Sequence, residues 1–333
     1  MPIEEDLRIF MDQWRDPSPL MEVQTSGSTG TPKRMQVRKE QMMNSARLTC
    51  EVLGLNKGDR ALLCMPLRYI AGKMVVVRSI CAGLNLVVRE PSGHPLADVE
   101  ETPIRFAAMI PLQVYNTLQV PQERERLKKI DTLIIGGGAI DAELEKEIAR
   151  LPGRVYSTYG MTETLSHIAL RRLNGPEASP YYHPFPSVKL SLSADNTLVI
   201  DAPLVCDKQL VTNDIAQILP DGSFIIIGRR DNTINSGGVK IQIEEVEERL
   251  RSFLSIPFAI TAVPHEKFGE AIVLLTENTL TQKDYEKLRE LPKYQIPKKV
   301  LNVQAIPHTG NGKIDRAACK RLAEETIKRQ NTK

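Results

Sequence analysis

No run of apolar residues in this chain approaches the length of a membrane span, and its acidic start, with Glu4, Glu5 and Asp6, is not a secretory leader. A charge of one sign is also missing. The 44 Lys and Arg against 41 Asp and Glu leave a net +3, and no basic stripe interleaved with aromatics runs along the chain, which argues against a nucleic-acid partner. The five cysteines, Cys50, Cys64, Cys81, Cys206 and Cys319, lie far apart without a C-x-x-C pair. That spacing argues against a disulfide framework or a metal cluster and fits a reducing cytoplasm. No internal repeat is visible. What remains, 41% hydrophobic and 26% charged residues over 333 positions, is the composition of a globular protein of two or three domains with a sizeable core.

The most informative stretch is Thr25-Ser26-Gly27-Ser28-Thr29-Gly30-Thr31-Pro32-Lys33, with five hydroxyls, two glycines and a lysine in nine residues. Hydroxyls and exposed N–H groups donate to anionic oxygens, glycines allow close approach, and a lysine adds a mobile positive charge. The pattern is that of a phosphate-gripping loop. It is not the nucleotidase P-loop, because the spacing is G-x-x-G-x-x-K and no Ser or Thr follows Lys33. A polar linker has similar composition.

Around this loop, residues 3–14 read as a short helix. Residues 39–53 read as a helix whose buried face carries Met43, Ala46, Cys50 and Leu53, with Gly54 as its stop. Strand-like runs at 61–65, 84–88, 105–110, 133–135 and 155–158 alternate with helical ones, including a helix capped by Asp141, which predicts a largely parallel buried sheet. Beyond Ser166, short strands at 188–192, 197–200, 215–219 and 224–227 predict a β-barrel-like layer. Past a polar break at 228–231, a small α+β unit is expected. The fold class expected is α/β, with domains at 1–228 and 229–333.

Further stretches carry chemistry. Tyr159-Gly160-Met161-Thr162-Glu163 follows a strand, so it is expected at the carboxyl end of the sheet, where a ring, a hydroxyl and a carboxylate could serve a nucleotide and a hard cation. An ordinary turn opening a helix would look the same. Thr212-Asn213-Asp214 reads as a turn whose carboxylate could accept ribose hydroxyls. Gly228-Arg229-Arg230-Asp231, Ser236-Gly237-Gly238 and the lysine-bearing loop Thr309-Gly310-Asn311-Gly312-Lys313 are individually weak.

Taken jointly and in this order, these motifs resemble the adenylate-forming superfamily of acyl-CoA synthetases, peptide-synthetase adenylation domains and luciferases, over residues 25–316. The resemblance implies a two-step reaction. A carboxylate attacks the α-phosphate of ATP to give acyl-AMP and pyrophosphate, and a thiol then takes the acyl group and releases AMP. It implies ATP, magnesium and CoA as cofactor and substrates, other partners limited to small molecules with a homodimer left open, and a mobile C-terminal domain. Residue by residue, it gives the β- and γ-phosphates to Thr25, Ser26, Gly27, Ser28, Thr29, Gly30, Thr31 and Lys33. Gly136, Gly137, Gly138 and Ala139 would lie beside the adenine, with Tyr159 stacked on it and Gly160 adjoining. Thr162 would touch phosphate or carboxylate, and Glu163 would support magnesium. Asp214, assisted by Arg229, would take the ribose; Asp231 would be the hinge; Gly237 and Gly238 would face CoA; and Lys313 would bridge carboxylate and α-phosphate.

Within the superfamily, residues 66–78 and 159–168 resemble the o-succinylbenzoate–CoA ligases of menaquinone synthesis. There the resemblance gives Arg78 the carboxylate that is not activated and sets Tyr69 in the acid site; Lys73, about one turn earlier on the same expected helix, and Ser166 or His167, after the Tyr159–Glu163 motif, are candidate helpers by position. Two departures stand out. Tyr69 replaces a family histidine, and only 24 residues precede the phosphate loop, where members carry an additional subdomain. A carrier-protein-loading adenylating enzyme and a non-catalytic nucleotide-binding relic are the alternative readings. A lone arginine on a helix is more often exposed or ion-paired.

Overall fold

The computed structural model of the chain describes residues 2–24, 34–99, 103–308 and 314–331. Helix α1 (Ile3–Arg15) precedes the paired strands β1 (Leu20–Gln24) and β2 (Arg34–Arg38). Helix α2 (Lys39–Leu53) ends where the sequence predicts, because Gly54 adopts φ 63° and its N–H closes the last turn. Its buried face is rotated from the expected one: Met42, not Met43, lies in the interior, together with Ser45 and Thr49.

The chain then winds through β3 (Arg60–Leu63), α3 (Ile70–Ala82), β4 (Asn85–Val88), β5 (Ile104–Met109), α4 (Pro111–Gln119), α5 (Pro121–Lys128), β6 (Ile130–Ile135), α6 (Ala142–Ile148) and β7 (Arg154–Gly160). Strands β8 (His167–Arg172) and β9 (His183–Pro184) complete a seven-stranded sheet in the order β4-β3-β5-β6-β7-β8-β9. The first five strands are parallel, and β8 and β9 turn back antiparallel. Leu62, Ala107, Leu133 and Val155 are buried in one cluster with the helix residues Val114, Leu144 and Ile148, as a parallel sheet covered by helices requires. Asp141 caps α6 by accepting from the Leu144 N–H at 2.8 Å.

The expected barrel-like layer is an open four-stranded sheet, with β10 (Lys189–Leu192), β11 (Thr197–Asp201), β12 (Leu210–Ile218) and β13 (Phe224–Arg229) side by side in chain order. Thr212, Asn213 and Asp214 lie inside β12 rather than in a turn, and β13 runs on through Gly228.

The chain divides into two compact units, one of Met1–Ser191, Val199–Leu210 and Ile218–Ile225, the other of Leu192–Leu198, Val211–Gln217 and Ile226–Lys333. The second unit contains β14 (Thr233–Ser236), β15 (Val239–Gln242), α7 (Ile243–Arg251), β16 (Phe258–His265), β17 (Gly269–Thr276), α8 (Gln282–Arg289), β18 (Lys299–Asn302) and α9 (Arg316–Asn331). Its sheet alternates with period two. Ile260 and Leu274 pack with Val246, Leu250 and Leu288, while Ala259, Val273 and Leu275 pack with Cys319 and Ala323.

Candidate active site

Strands β4 and β5 leave β3 on opposite sides, which makes a topological switch point, and ligands of open α/β sheets bind outside the carboxyl ends of such strands. From that edge, β3 leads into Tyr69, β6 into Gly136, Gly137 and Gly138, and β7 ends on Tyr159 and Gly160. At Gly136 a Cβ would lie 2.3 Å from Thr158 Oγ1, and Gly137 takes φ 79°, so the glycine requirement at both is steric.

The phosphate-loop candidates at 25–33 lie outside the described residues, but the stems on either side are defined. Gln24 is paired with Arg34, and Gln24 also forms a parallel bridge to Tyr69. Lys73, expected to help bind the acid, instead donates from Nζ to the Glu22 carbonyl at 2.7 Å, and burial lowers its pKa. It ties α3 to the strand that enters the loop.

Tyr159 sits in an aromatic cluster, 5.2 Å edge-on from Phe224 and 5.9 Å from Tyr182, and Tyr182 donates to or accepts from Ser157 Oγ at 2.8 Å. Beyond Gly160 the expected helix start is one turn of 3₁₀ helix over Thr162–Thr164, closed by Leu165 at φ 65°. Thr164 Oγ1 holds that turn by accepting from the Met161 N–H at 3.0 Å and donating to the Ser166 carbonyl at 2.8 Å. The reversal sets Gly160 opposite His167, where a Cβ on Gly160 would come within 2.3 Å of the Ser166 carbonyl. Thr162 is half-buried and Glu163 exposed.

Arg78 is not exposed, and among the described residues it has no ion pair. It is 2% exposed and is the largest of the fully buried side chains. Its Nη2 donates to Ser166 Oγ at 2.5 Å, its Nε has no partner, and among the described residues no carboxylate forms an ion pair with it. Burial pulls its pKa down to about 10, which leaves it charged at neutral pH. His167, at 6% exposure, has both ring nitrogens engaged, Nδ1 with Ser166 Oγ and Nε2 with Thr49 Oγ1, each at 3.2 Å. Both of its nitrogens are thereby occupied by protein partners. Burial, then the neighbouring Arg78, holds its pKa well below the usual imidazole value.

In the second unit, Arg229 joins two of the expected site residues, donating to Asp214 at 3.0 Å and to both oxygens of Asp231. Burial opposes its charge, yet the bonds to Asp231 and Asp214 win and its pKa is raised. Gly237 and Gly238, at φ 60° and 82°, form the two-residue turn between β14 and β15. Lys313 lies outside the described residues; the stems beside it are closed by a bridge from His308 to Ile314.

Residues 13–203, more than half of the chain, match the model of the AMP-binding enzyme family. The chain belongs to that family. A solved acyl-CoA synthetase (AMP-forming)/AMP-acid ligase II-like protein from Dyadobacter fermentans is 34% identical to this AMP-binding enzyme, with a TM-score of 0.65 over 93% of this chain and 91% of the other. The 2-succinylbenzoate–CoA ligase of Lactococcus lactis is 24% identical over 317 residues, covering 89% of this chain and 69% of that enzyme. The o-succinylbenzoate coenzyme A synthetase of Bacillus subtilis, solved in complex with ATP and magnesium, shares the fold at a TM-score of 0.73 and 22% identity. The expected α/β fold, enzyme class of AMP-forming acid–thiol ligases and family therefore stand, and no helix among the described residues is long and apolar enough to cross a membrane.

Thr49, Tyr182 and Phe224 were not singled out by sequence. For Thr49 a signal existed: Ser45 and Thr49, four apart, share the buried face of α2 with Ala46 and Cys50.

Proposed function

We propose that the protein is an ATP- and magnesium-dependent acid–CoA ligase for an aromatic acid with a second carboxylate, o-succinylbenzoate being the candidate. One observation carries this reading: a fully buried arginine with no anion among the described residues. An unpaired buried cation is costly, and a substrate carboxylate would relieve it. The names of the curated relatives point to the same acid.

The residues fit a nucleotide. Tyr159 offers a ring held by Phe224, and the adjoining glycines allow backbone approach. Magnesium would be held by Glu163 together with phosphate oxygens and water. When bound, it would offset the repulsion between carboxylate and polyphosphate. Thr25, Ser26, Gly27, Ser28, Thr29, Gly30, Thr31 and Lys33 would hold the outer phosphates, and Asp214 with Arg229 the ribose. Thr162 would orient the reacting carboxylate near Tyr69, and Lys313 would supply positive charge at the α-phosphate. Arg78 would hold the spare carboxylate away from the reacting centre, so that only one carboxylate is in line for attack. With the ligand bound, Gly237 and Gly238 would pass the thiol of CoA during the second step, after movement about Asp231.

The test is mass spectrometry of the products from o-succinylbenzoate, ATP, magnesium and CoA. Equal yields of the monothioester and AMP are expected. No thioester with this acid, but one with a monocarboxylic aromatic acid, would remove the second carboxylate from the reading.

A further inference from the structure

The hydrogen-bond directions behind Arg78 follow from one fixed point. Thr49 Oγ1 donates to the carbonyl of Ser45, one turn back in α2, at 3.0 Å. A hydroxyl has one proton, so toward His167 Nε2 at 3.2 Å the same oxygen only accepts. Nε2 therefore carries the ring proton. The ring is buried beside the Arg78 guanidinium, which keeps it neutral, so Nδ1 is an acceptor. Ser166 Oγ gives its own proton to Nδ1 at 3.2 Å and turns its lone pairs to Arg78 Nη2 at 2.5 Å. The chain runs one way, from Arg78 through Ser166, His167 and Thr49 to a backbone carbonyl.

We propose that Thr49 and His167 are positioning residues for recognition of the second carboxylate, because they lock the Ser166 hydroxyl as an acceptor and thereby fix the Arg78 guanidinium before the acid arrives. This rests on the reading of Arg78 as the carboxylate receptor. A long cationic side chain loses rotamer freedom when it binds an anion, and a guanidinium already held in place has less to lose. The opposite Ser166 orientation, with its proton toward Arg78, would set two donors against each other and turn the guanidinium away. Neither Thr49 nor His167 need touch the substrate; both act through Ser166.

Two measurements test this. The first needs no variant and no substrate. In long-range ¹⁵N NMR of histidine-labelled protein, one of the five histidines should hold a neutral Nε2–H tautomer and not titrate, from about pH 8 down to about pH 6, where an unperturbed imidazole does. An Nδ1–H tautomer for His167, assigned by its loss in His167→Gln, overturns the proposal. The second is kinetic. Thr49→Val keeps the shape and removes the acceptor, stranding the Nε2 proton. In pyrophosphate exchange, the KM for o-succinylbenzoate should rise roughly 5–100-fold, the range for an unsatisfied buried donor. For the analogue with hydrogen in place of the spare carboxylate it should change by less than about twofold, and Thr49→Ser should restore the wild-type value. Equal losses on both acids, or none, overturn the proposal. If wild-type protein activates neither acid, the functional reading has failed, and the tautomer still decides the hydrogen-bond chain.

Discussion

Arg229 grips Asp231 with two parallel N–H groups, Nε at 3.0 Å from Oδ1 and Nη2 at 3.1 Å from Oδ2. The same guanidinium reaches Asp214. The proposed hinge carboxylate and the proposed ribose carboxylate thus share one cation. The side chains of Arg229 and Asp231 are 37% and 48% exposed, so water and salt screen the pair and its contribution to stability is below about 1 kcal/mol. If Asp231 is the hinge, as proposed, a rotation about it would have to re-form or release this grip.

Asp231→Pro is therefore expected to impair the two half-reactions unequally. Proline fixes φ near the pivot and hinders rotation. Acyl-AMP formation should survive better than thioester formation, while Asp231→Asn, which keeps a free backbone, should affect both only a few-fold. Wild-type rates for both steps in Asp231→Pro would show that the pivot lies elsewhere.

Lys313 is flanked by anchored chain. Arg316, three residues on, forms a charge-assisted pair with the buried Glu247, Nη2 to Oε2 at 2.8 Å, and Glu247 also accepts from the Ile260 N–H. Lys313→Ala should lose roughly 10²–10³-fold in acyl-AMP formation, about 3–4 kcal/mol, the size of one preorganised charge-stabilising donor. Thioester formation from pre-made acyl-AMP should be spared. Comparable damage to both steps would remove the two-orientation mechanism.

Much of this is legible in the sequence. The alternating strands and helices follow from runs such as Leu133 to Ile135, and α2 stops at Gly54 because only a residue tolerant of positive φ closes a helix that way. Other parts gave weak signals. β8 follows a turn closed by Leu165 at positive φ, a conformation no leucine advertises, so the antiparallel return is not legible in the sequence, although Ser166 and His167 are already expected to help Arg78. Helices α4 and α5 each begin on proline at the first turn, which is a helix-start signal in the sequence. The polar Thr212, Asn213 and Asp214 look like a turn, but sheet pairing overrode local propensity. That Arg78 is buried without an ion pair among the described residues is a tertiary fact that pattern alone does not contain.

Acid should destabilise the fold through His167. Its folded pKa lies well below the ordinary value, so on acidification the unfolded chain takes up the proton first. The contribution is fully present above the unfolded pKa of about 6.5 and is lost progressively as pH falls below it. Urea midpoints measured from about pH 7.5 to about pH 5 should fall more steeply for wild type than for His167→Gln, which has no proton to gain. Parallel curves would mean that His167 is not the buried neutral group responsible.

Arg78 should pull stability and function in opposite directions. Its charge is buried, one N–H bonds to Ser166, and among the described residues Nε is unpartnered and no carboxylate pairs with it, so the ligand-free fold bears a desolvation cost that ion pairing does not return. Arg78→Met fills similar space without charge. The ligand-free variant should be as stable as wild type or more so, by about 1 kcal/mol or above, as when other buried charges are replaced by well-packed apolar residues. The same variant should lose roughly 10–10³-fold in kcat/KM for o-succinylbenzoate, the range for breaking a buried charge-assisted pair, and far less for the analogue without the spare carboxylate. Wild-type stability should in turn rise with added o-succinylbenzoate, and that of Arg78→Met should not, because only a ligand that binds the folded state shifts the midpoint. If Arg78→Met instead unfolds at lower urea and loses activity equally on both acids, the arginine is a structural strut, and the second carboxylate is read elsewhere.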